Sequence, residues 1–202
     1  VGVGTRPIGE LSRESMIELM VGRKLENEFP KERCEIGDKG LVVRGLTRAP
    51  RVRDVSFSVM RGEVVGLTGL VGAGRTEAAR LVFGADNREA GVIELDGKAL
   101  SIKTPRDAIA AGICLLTEDR KAQGLVLGQS VQSNFGLPNL LGFSRGGFVD
   151  HRAESERFGS YVKSLNIRIS DHEQSAGTLS GGNQQKVVLA KWLEKNAEAI
   201  IF

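Results

Sequence analysis

Residues 69–76 read GLVGAGRT, the Gly-x-x-x-x-Gly-Lys-[Ser/Thr] spacing of a phosphate-binding loop with one departure. Position 75, where that pattern wants lysine, is arginine. The flanks suit the motif. Val64, Val65 and Leu67 are expected to form a strand over 63–69, and Ala78, Ala79, Leu81 and Val82 to lie on a helix from Arg75 to Phe83 that closes at Gly84. Between them, Gly69, Gly72 and Gly74 let the backbone turn through positive φ. Main-chain amides of the stretch Gly69, Gly72, Ala73, Gly74, Arg75, Thr76 and Glu77 can then converge on phosphate oxygens, and the helix N-terminus adds positive potential. The Thr76 hydroxyl is placed to meet Mg²⁺. A glycine-rich turn that binds nothing is the competing reading. The spacing, Thr76 and the strand–loop–helix context together favour the nucleotide.

Arg75 keeps the charge and changes the geometry. Lysine offers a compact ammonium, whereas arginine offers a longer, planar, bidentate fork. Phosphoryl transfer depends on alignment more than on charge alone. The substitution therefore predicts binding without efficient cleavage at this loop.

Moving outward, the 202 residues suffice for one sizeable core or a core plus a small subdomain. A hydrophobic fraction of 41% with 26% charged residues is that of an ordinary globular chain, which sets aside disordered and fibrous classes. The net charge of +3 is not gathered into a basic stripe, so no nucleic-acid partner is expected. Cys34 and Cys114 lie far apart and suggest two reduced thiols, neither a disulfide nor a metal site. No apolar run reaches membrane-spanning length.

The opening VGVGTR reads as the end of a strand, and Ser12 as the cap of a short amphipathic helix that includes Met16, Ile17, Met20 and Val21. The polar stretch ENEFPKERCEIGDKG, 26–40, reads as a linker. Strands are expected at 41–46 and 54–60, a hairpin turning at Asp96-Gly97, a helix opening with Pro105 and closed by Gly112, and a buried strand ICLLT. Helices follow at Val131–Leu140 and Arg152–Leu165. A last helix runs from about Gly182 to Lys195 into a strand at Ala199–Phe202, and the ending AEAIIF reads as a strand broken off in a fragment. His151 and His172 read as surface residues.

TLSGGNQQKVVLAKWL, 178–193, supplies a second anion-facing helix start, with Ser180 as N-cap and Gly181 and Gly182 exposing backbone N–H groups. Here the sequence resembles the ATP-binding subunits of ABC transporters, whose signature motif Leu179-Ser180-Gly181-Gly182 matches, downstream of the phosphate loop as that family requires. GLVGAGRTE, TEDRKAQGLVLGQSVQSN, the signature string and the lead-in MIELMVGRKLE together resemble the carboxy-terminal half of the double-domain ATPases that import ribose, galactose or xylose. In that family the second half commonly carries this arginine.

The resemblance implies an α/β fold, a P-loop NTPase of ABC type, with a β-rich and RecA-like core, a helical subdomain, and a break before the end of the Walker B motif. It divides the chain into the tail of a preceding nucleotide-binding domain (1–21), a linker (22–40), the core (41–121), the helical subdomain (122–180), and the signature helix with the start of the Walker B strand (181–202). It implies ATP and Mg²⁺ as cofactors. Domains of this kind pair head to tail, so Gly69 to Thr76 would hold one nucleotide. Ser180, Gly181 and Gly182 would reach the γ-phosphate of a second, held by the preceding half or a second copy. Glu118 stands where the family has its Q-loop glutamine. It would approach Mg²⁺ directly or through water, or pair with Arg120; Gln123 is offset by five positions and is not assigned. No aromatic precedes DVSF to stack the base, leaving Arg48 or Arg51 to stack it instead. Membrane permease subunits would dock on the helical subdomain, a periplasmic sugar-binding protein would act indirectly, and the protein would sit peripherally on the cytoplasmic face of a bacterial inner membrane. The Walker B aspartate, the glutamate base and the switch histidine are not in this sequence, so the isolated fragment is expected to be inactive. Two alternatives share the signature string: an ABC-type ATPase of DNA repair or chromosome maintenance, and a purely regulatory ATP-binding domain.

Overall fold

The computed structural model describes residues 4–21, 34–117 and 119–202, which fall into two compact units, 1–35 and 36–202. In the first unit, α1 (Arg13–Val21) begins after Ser12, whose Oγ accepts from the Ser15 amide at 3.1 Å. That is the expected cap. Residues 4–6 form no strand, and most of the expected linker, 22–33, lies outside the described residues.

The second unit opens with β1 (Gly40–Arg48) and β2 (Val52–Met60), an antiparallel pair. Both are rich in β-branched residues, which suit a half-buried pleated surface. Next come α2 (Arg75–Val82), β3 (Ala90–Leu95) and β4 (Lys98–Leu100). The β3–β4 hairpin turns through Asp96 and Gly97 at φ 51° and 78°, the two left-handed residues a tight hairpin demands. The four strands make one antiparallel sheet in the order β2-β1-β3-β4.

Helix α3 (Pro105–Ala110) starts on a full capping box, with Thr104 and Asp107 each satisfying the other's backbone amide. Strand β5 (Ile113–Leu115) follows and pairs in parallel with the last strand, β8 (Ala199–Ile201). A π-helical turn, Arg120–Gly124, leads to α4 (Val131–Gly136), a 3₁₀ turn, and α5 (Leu140–Phe143). The small hairpin β6 (Ser144–Arg145) and β7 (Phe148–Val149) precedes α6 (His151–Ser164). Helix α7 (Gly181–Glu194) runs into β8. Phe135 centres the helical region, with ring centroids 5.1 Å from Phe158, 5.6 Å from Tyr161 and 5.9 Å from Phe143.

Two expectations are corrected here. Residues 63–69 do not form a strand. Their alternation reads as one, but a strand exists only through a ladder of hydrogen bonds to a neighbour, and this segment joins no ladder among the described residues. Val64 is 86% exposed. A cavity of about 750 Å³ lined by Val64, Val65, Leu67, Leu115, Ile200 and Ile201 lies beside it. His172 is not a surface residue. Its ring lies 5.0 Å from that of Phe158, and its Nδ1 meets Ser155 Oγ at 2.9 Å, so packing against α6 half-buries it.

Two side chains of the acidic and basic kinds are buried in this unit, Glu154 and Lys191. Glu154 meets Gln132 and His151, whereas Lys191 has no acidic partner among the described residues. Lys191 sits on the inner face of α7, its Nζ donating to the Gly124 carbonyl and lying 5.2 Å from the Trp192 ring. Burial lowers its pKa from the ordinary 10.5 to about 8. Below pH 8 the amine is charged in both states, and folding bears the whole cost of desolvating it. Between about 8 and 10.5 the unfolded chain holds more protons, so this group makes the fold more stable as pH rises. Cys114, pushed up to about 11 by burial, acts in the opposite sense, so the lysine is isolated by difference. From pH 7 to pH 10 the wild type should gain about 2 kcal/mol over Lys191→Met in urea unfolding. Parallel profiles would rule this out.

Candidate functional site

The loop between residues 69 and 75 is shaped by its glycines. Gly72 and Gly74 have φ of 83° and 84°, and the Ala73 amide closes a tight turn on the Leu70 carbonyl at 3.1 Å. Gly74 caps α2 from the left-handed region, with no side chain to satisfy the first amides of the helix. A Cβ at Gly74 would lie 2.6 Å from the Arg51 carbonyl oxygen. The loop is therefore pressed against the β1–β2 turn, and only glycine fits.

Gly69, Gly72 and Ala73 are exposed, and so are Arg75 and Thr76, which line the 750 Å³ cavity together with Thr117, Asp119 and Gln123. Arg75 forms no ion pair with a described residue. Glu77, in the first turn of α2, is engaged by the Arg51 guanidinium, whose hydrogen bond holds the carboxyl below its ordinary pKa. Its carboxylate serves as a tie to the β1–β2 turn. Asp86 is held low chiefly by Arg80 at 2.7 Å and is also paired with Arg48 at 3.2 Å. Arg48 and Arg51 line a second, smaller cleft of about 290 Å³ with Pro50, Val52 and Leu81, and no aromatic ring lines it.

Ser180, Gly181 and Gly182 are exposed at the start of α7 and do not line the cavity of the glycine loop. Ser180 occupies the N-cap position, but its side chain caps no amide; its Oγ instead accepts from Asn183 Nδ2 at 3.1 Å. The N–H groups of the first turn, which a helix cannot satisfy internally, thus meet no capping side chain. Arg120 Nη1 donates to the Gly181 carbonyl at 2.9 Å. Glu118 lies outside the described residues, so neither its expected approach to Mg²⁺ nor its pairing with Arg120 is on view.

Gln123 was passed over in the sequence. Its Oε1 accepts from Arg80 at 3.3 Å and from Thr117 at 3.2 Å, at the wall of the loop's cavity. The sequence signal was an amide shortly after a buried strand. The π-helical turn that carries it into place has no local signature. Among the described residues no three His, Cys, Asp or Glu side chains gather to hold a metal by themselves. A divalent ion here would depend on phosphate oxygens and Thr76, a donor set that fits Mg²⁺ bound with a nucleotide.

The family profile described as "ABC transporter" matches residues 52–202. The chain is 49% identical to the ribose import ATP-binding protein RbsA 3 of Rubrobacter xylanophilus, over 99% of this chain and 40% of that protein. It is 45% identical to RbsA 2 of Streptomyces avermitilis, over 98% and 39%. The chain thus spans well under half the length of these relatives. A dimeric post-hydrolysis form of the ATP-binding cassette MJ0796, bound to ADP and Pi, shares the fold at a TM-score of 0.63 and 18% identity, over 79% of this chain and 72% of that one. The chain belongs to the ABC transporter family of ATP-binding domains, and its fold is the P-loop NTPase fold of that family.

Gly74→Ala places a methyl group against the Arg51 carbonyl in a conformation that L-residues avoid. It should cost about 1–3 kcal/mol of stability and weaken binding of a fluorescent ATP analogue at least tenfold. Unchanged affinity in a titration would show that the loop does not hold the nucleotide.

Proposed function

We propose that this chain is the ATP-binding carboxy-terminal half of a bacterial simple-sugar importer, working peripherally at the cytoplasmic face of the membrane. The observation that supports it is the presence of two helix starts without a capping side chain, the glycine loop before α2 and the start of α7, in a chain 45–49% identical to ribose-import ATP-binding proteins. The relatives' names favour import over DNA maintenance. No helix among the described residues is long and apolar enough to cross a membrane, which suits a subunit that works on a separate permease.

In this reading the amides of Gly69, Gly72, Ala73, Gly74, Arg75, Thr76 and Glu77 bind and orient the phosphates. The Arg75 guanidinium supplies the loop's side-chain charge, and the Thr76 hydroxyl and Glu118 face the metal. Mg²⁺, when bound, neutralises phosphate charge. The base rests in the cleft lined by Arg48 and Arg51, with a guanidinium standing in for an aromatic stack. Ser180, Gly181 and Gly182 present amides to the nucleotide of the preceding domain, or of a second copy. The helical segment 122–180 faces the permease, and a periplasmic sugar-binding protein acts through that permease. The domain divisions at 21, 40, 121 and 180 belong to the same proposal.

A regulatory role for the loop's own site is favoured by Arg75 specifically. Arg75→Ala should weaken ATP binding by about 10–100-fold, as expected for loss of charged hydrogen bonds. Arg75→Lys should keep the affinity within a few-fold and raise phosphate release by the full-length ATPase. Wild-type affinity in Arg75→Ala would place the nucleotide elsewhere, and unaltered turnover in Arg75→Lys would remove the proposed penalty on cleavage. Sugar uptake into vesicles carrying the full-length protein and its permease tests the transport role directly.

A further inference from the structure

The π-helical turn Arg120–Gly124 is wired to both phosphate-facing elements. At its start, the Arg120 guanidinium lies across Gly181. Nη1 donates to the Gly181 carbonyl, and a Cβ on that glycine would lie 3.2 Å from Nη2 and 3.3 Å from Nη1. At its end, the Gly124 carbonyl accepts from Lys191, farther along α7. Between them Gln123 accepts from Arg80 of α2 and from Thr117 beyond β5. Asp119 caps the turn, accepting from the Ala122 amide at 3.0 Å. One short segment therefore grips α7 at two points and α2 at one.

The grip on Gly181 falls where direction counts. Gly181 is the first residue of α7, and its carbonyl has a second lone pair beyond the one used within the helix. The amides at this end meet no capping side chain. Their aim depends on how the first peptide planes are tilted, and glycine at 181 and 182 leaves that tilt loose. The Arg120 guanidinium bonds the first of these peptides directly, at the Gly181 carbonyl.

We propose that Arg120 is the positioning residue of the signature end. It fixes the Gly181 peptide so that the open amides of α7 face the phosphate held by the opposing domain, and its charge adds to the positive end of the helix. Arg120 acts through Gly181 and does not itself need to touch the nucleotide. This rests on the head-to-tail pairing proposed above.

The test uses the full-length ATPase with its permease in liposomes, comparing wild type, Arg120→Lys and Arg120→Ala. Loss of one charged hydrogen bond that matters in the transition state should lower kcat/KM for ATP about tenfold in Arg120→Ala. Azido-ATP photolabelling of peptides from the 69–76 loop and the melting temperature should stay at wild-type values. Arg120→Lys, whose amine can reach the same carbonyl, should recover most of the loss. Wild-type kcat/KM in Arg120→Ala overturns the inference alone. A parallel fall in melting temperature, loop labelling and turnover, unrelieved by lysine, also overturns it and makes Arg120 a structural tie. A wild type without sugar-stimulated turnover overturns the pairing, and this inference with it.

Discussion

The structure around the glycine loop depends on one steric fact. The backbone at Gly74 sits at φ 84° with the Arg51 carbonyl where a side chain would begin. That contact falls where the loop passes into α2, and it seats the β1–β2 turn beside the helix. The ion pairs around it, Arg51–Glu77 and Arg48–Asp86–Arg80, are partly exposed, and such pairs contribute little to stability. They are better understood as fixing orientation once the backbone contact has decided the packing. Glu77 illustrates this: its carboxylate ties the first turn of α2 to the β1–β2 turn through Arg51.

Legibility in the sequence followed the range of the interaction. The helix start at Pro105, the Asp96-Gly97 turn, Ser12 as a cap and the glycines of the loop are set by residues a few positions apart, and all were readable; the Thr104–Asp107 capping box beside Pro105 is equally local but was not singled out. The segment 63–69 was misread because a ladder partner is not a local property; alternation of apolar residues says a strand would suit, not that a neighbour is present. His172 was misread because Phe158, on α6, packs against it and half-buries it. Ser180 was half right. It stands at the cap position, but Asn183, a residue with its own amide to place, takes the hydroxyl. Gln123 and Arg120 were out of reach, since a π-helical turn sets which way they point and their partners lie on α2 and α7.

Lys191 and Arg120 show two ways of using a cation on one helix. Both donate to backbone carbonyls across the same boundary between the π-turn and α7. Lys191 is buried, and desolvation lowers its affinity for a proton, so its contribution is a satisfied Gly124 carbonyl set against a standing electrostatic cost. Arg120 is only half-buried, so it bears less of that cost, and its guanidinium lies at the helix end where an anion would sit. An inner tie of this kind fixes where α7 lies, and an outer one fixes how its first peptide is turned.

That division bears on the arginine at position 75. If alignment at the glycine loop is compromised, the loop can still hold a nucleotide, because its amides are aimed by backbone geometry that Arg75 does not set. The start of α7 carries no corresponding defect: Ser180, Gly181 and Gly182 are exposed, uncapped and braced. In a head-to-tail pair, each site takes its loop from one domain and its signature from the other. A domain with an altered loop and an intact signature then degrades its own site while completing its partner's. Under the proposed pairing with a preceding domain, the asymmetry from position 75 would be confined to one of two sites, and the other site would take its signature from the start of α7 described here.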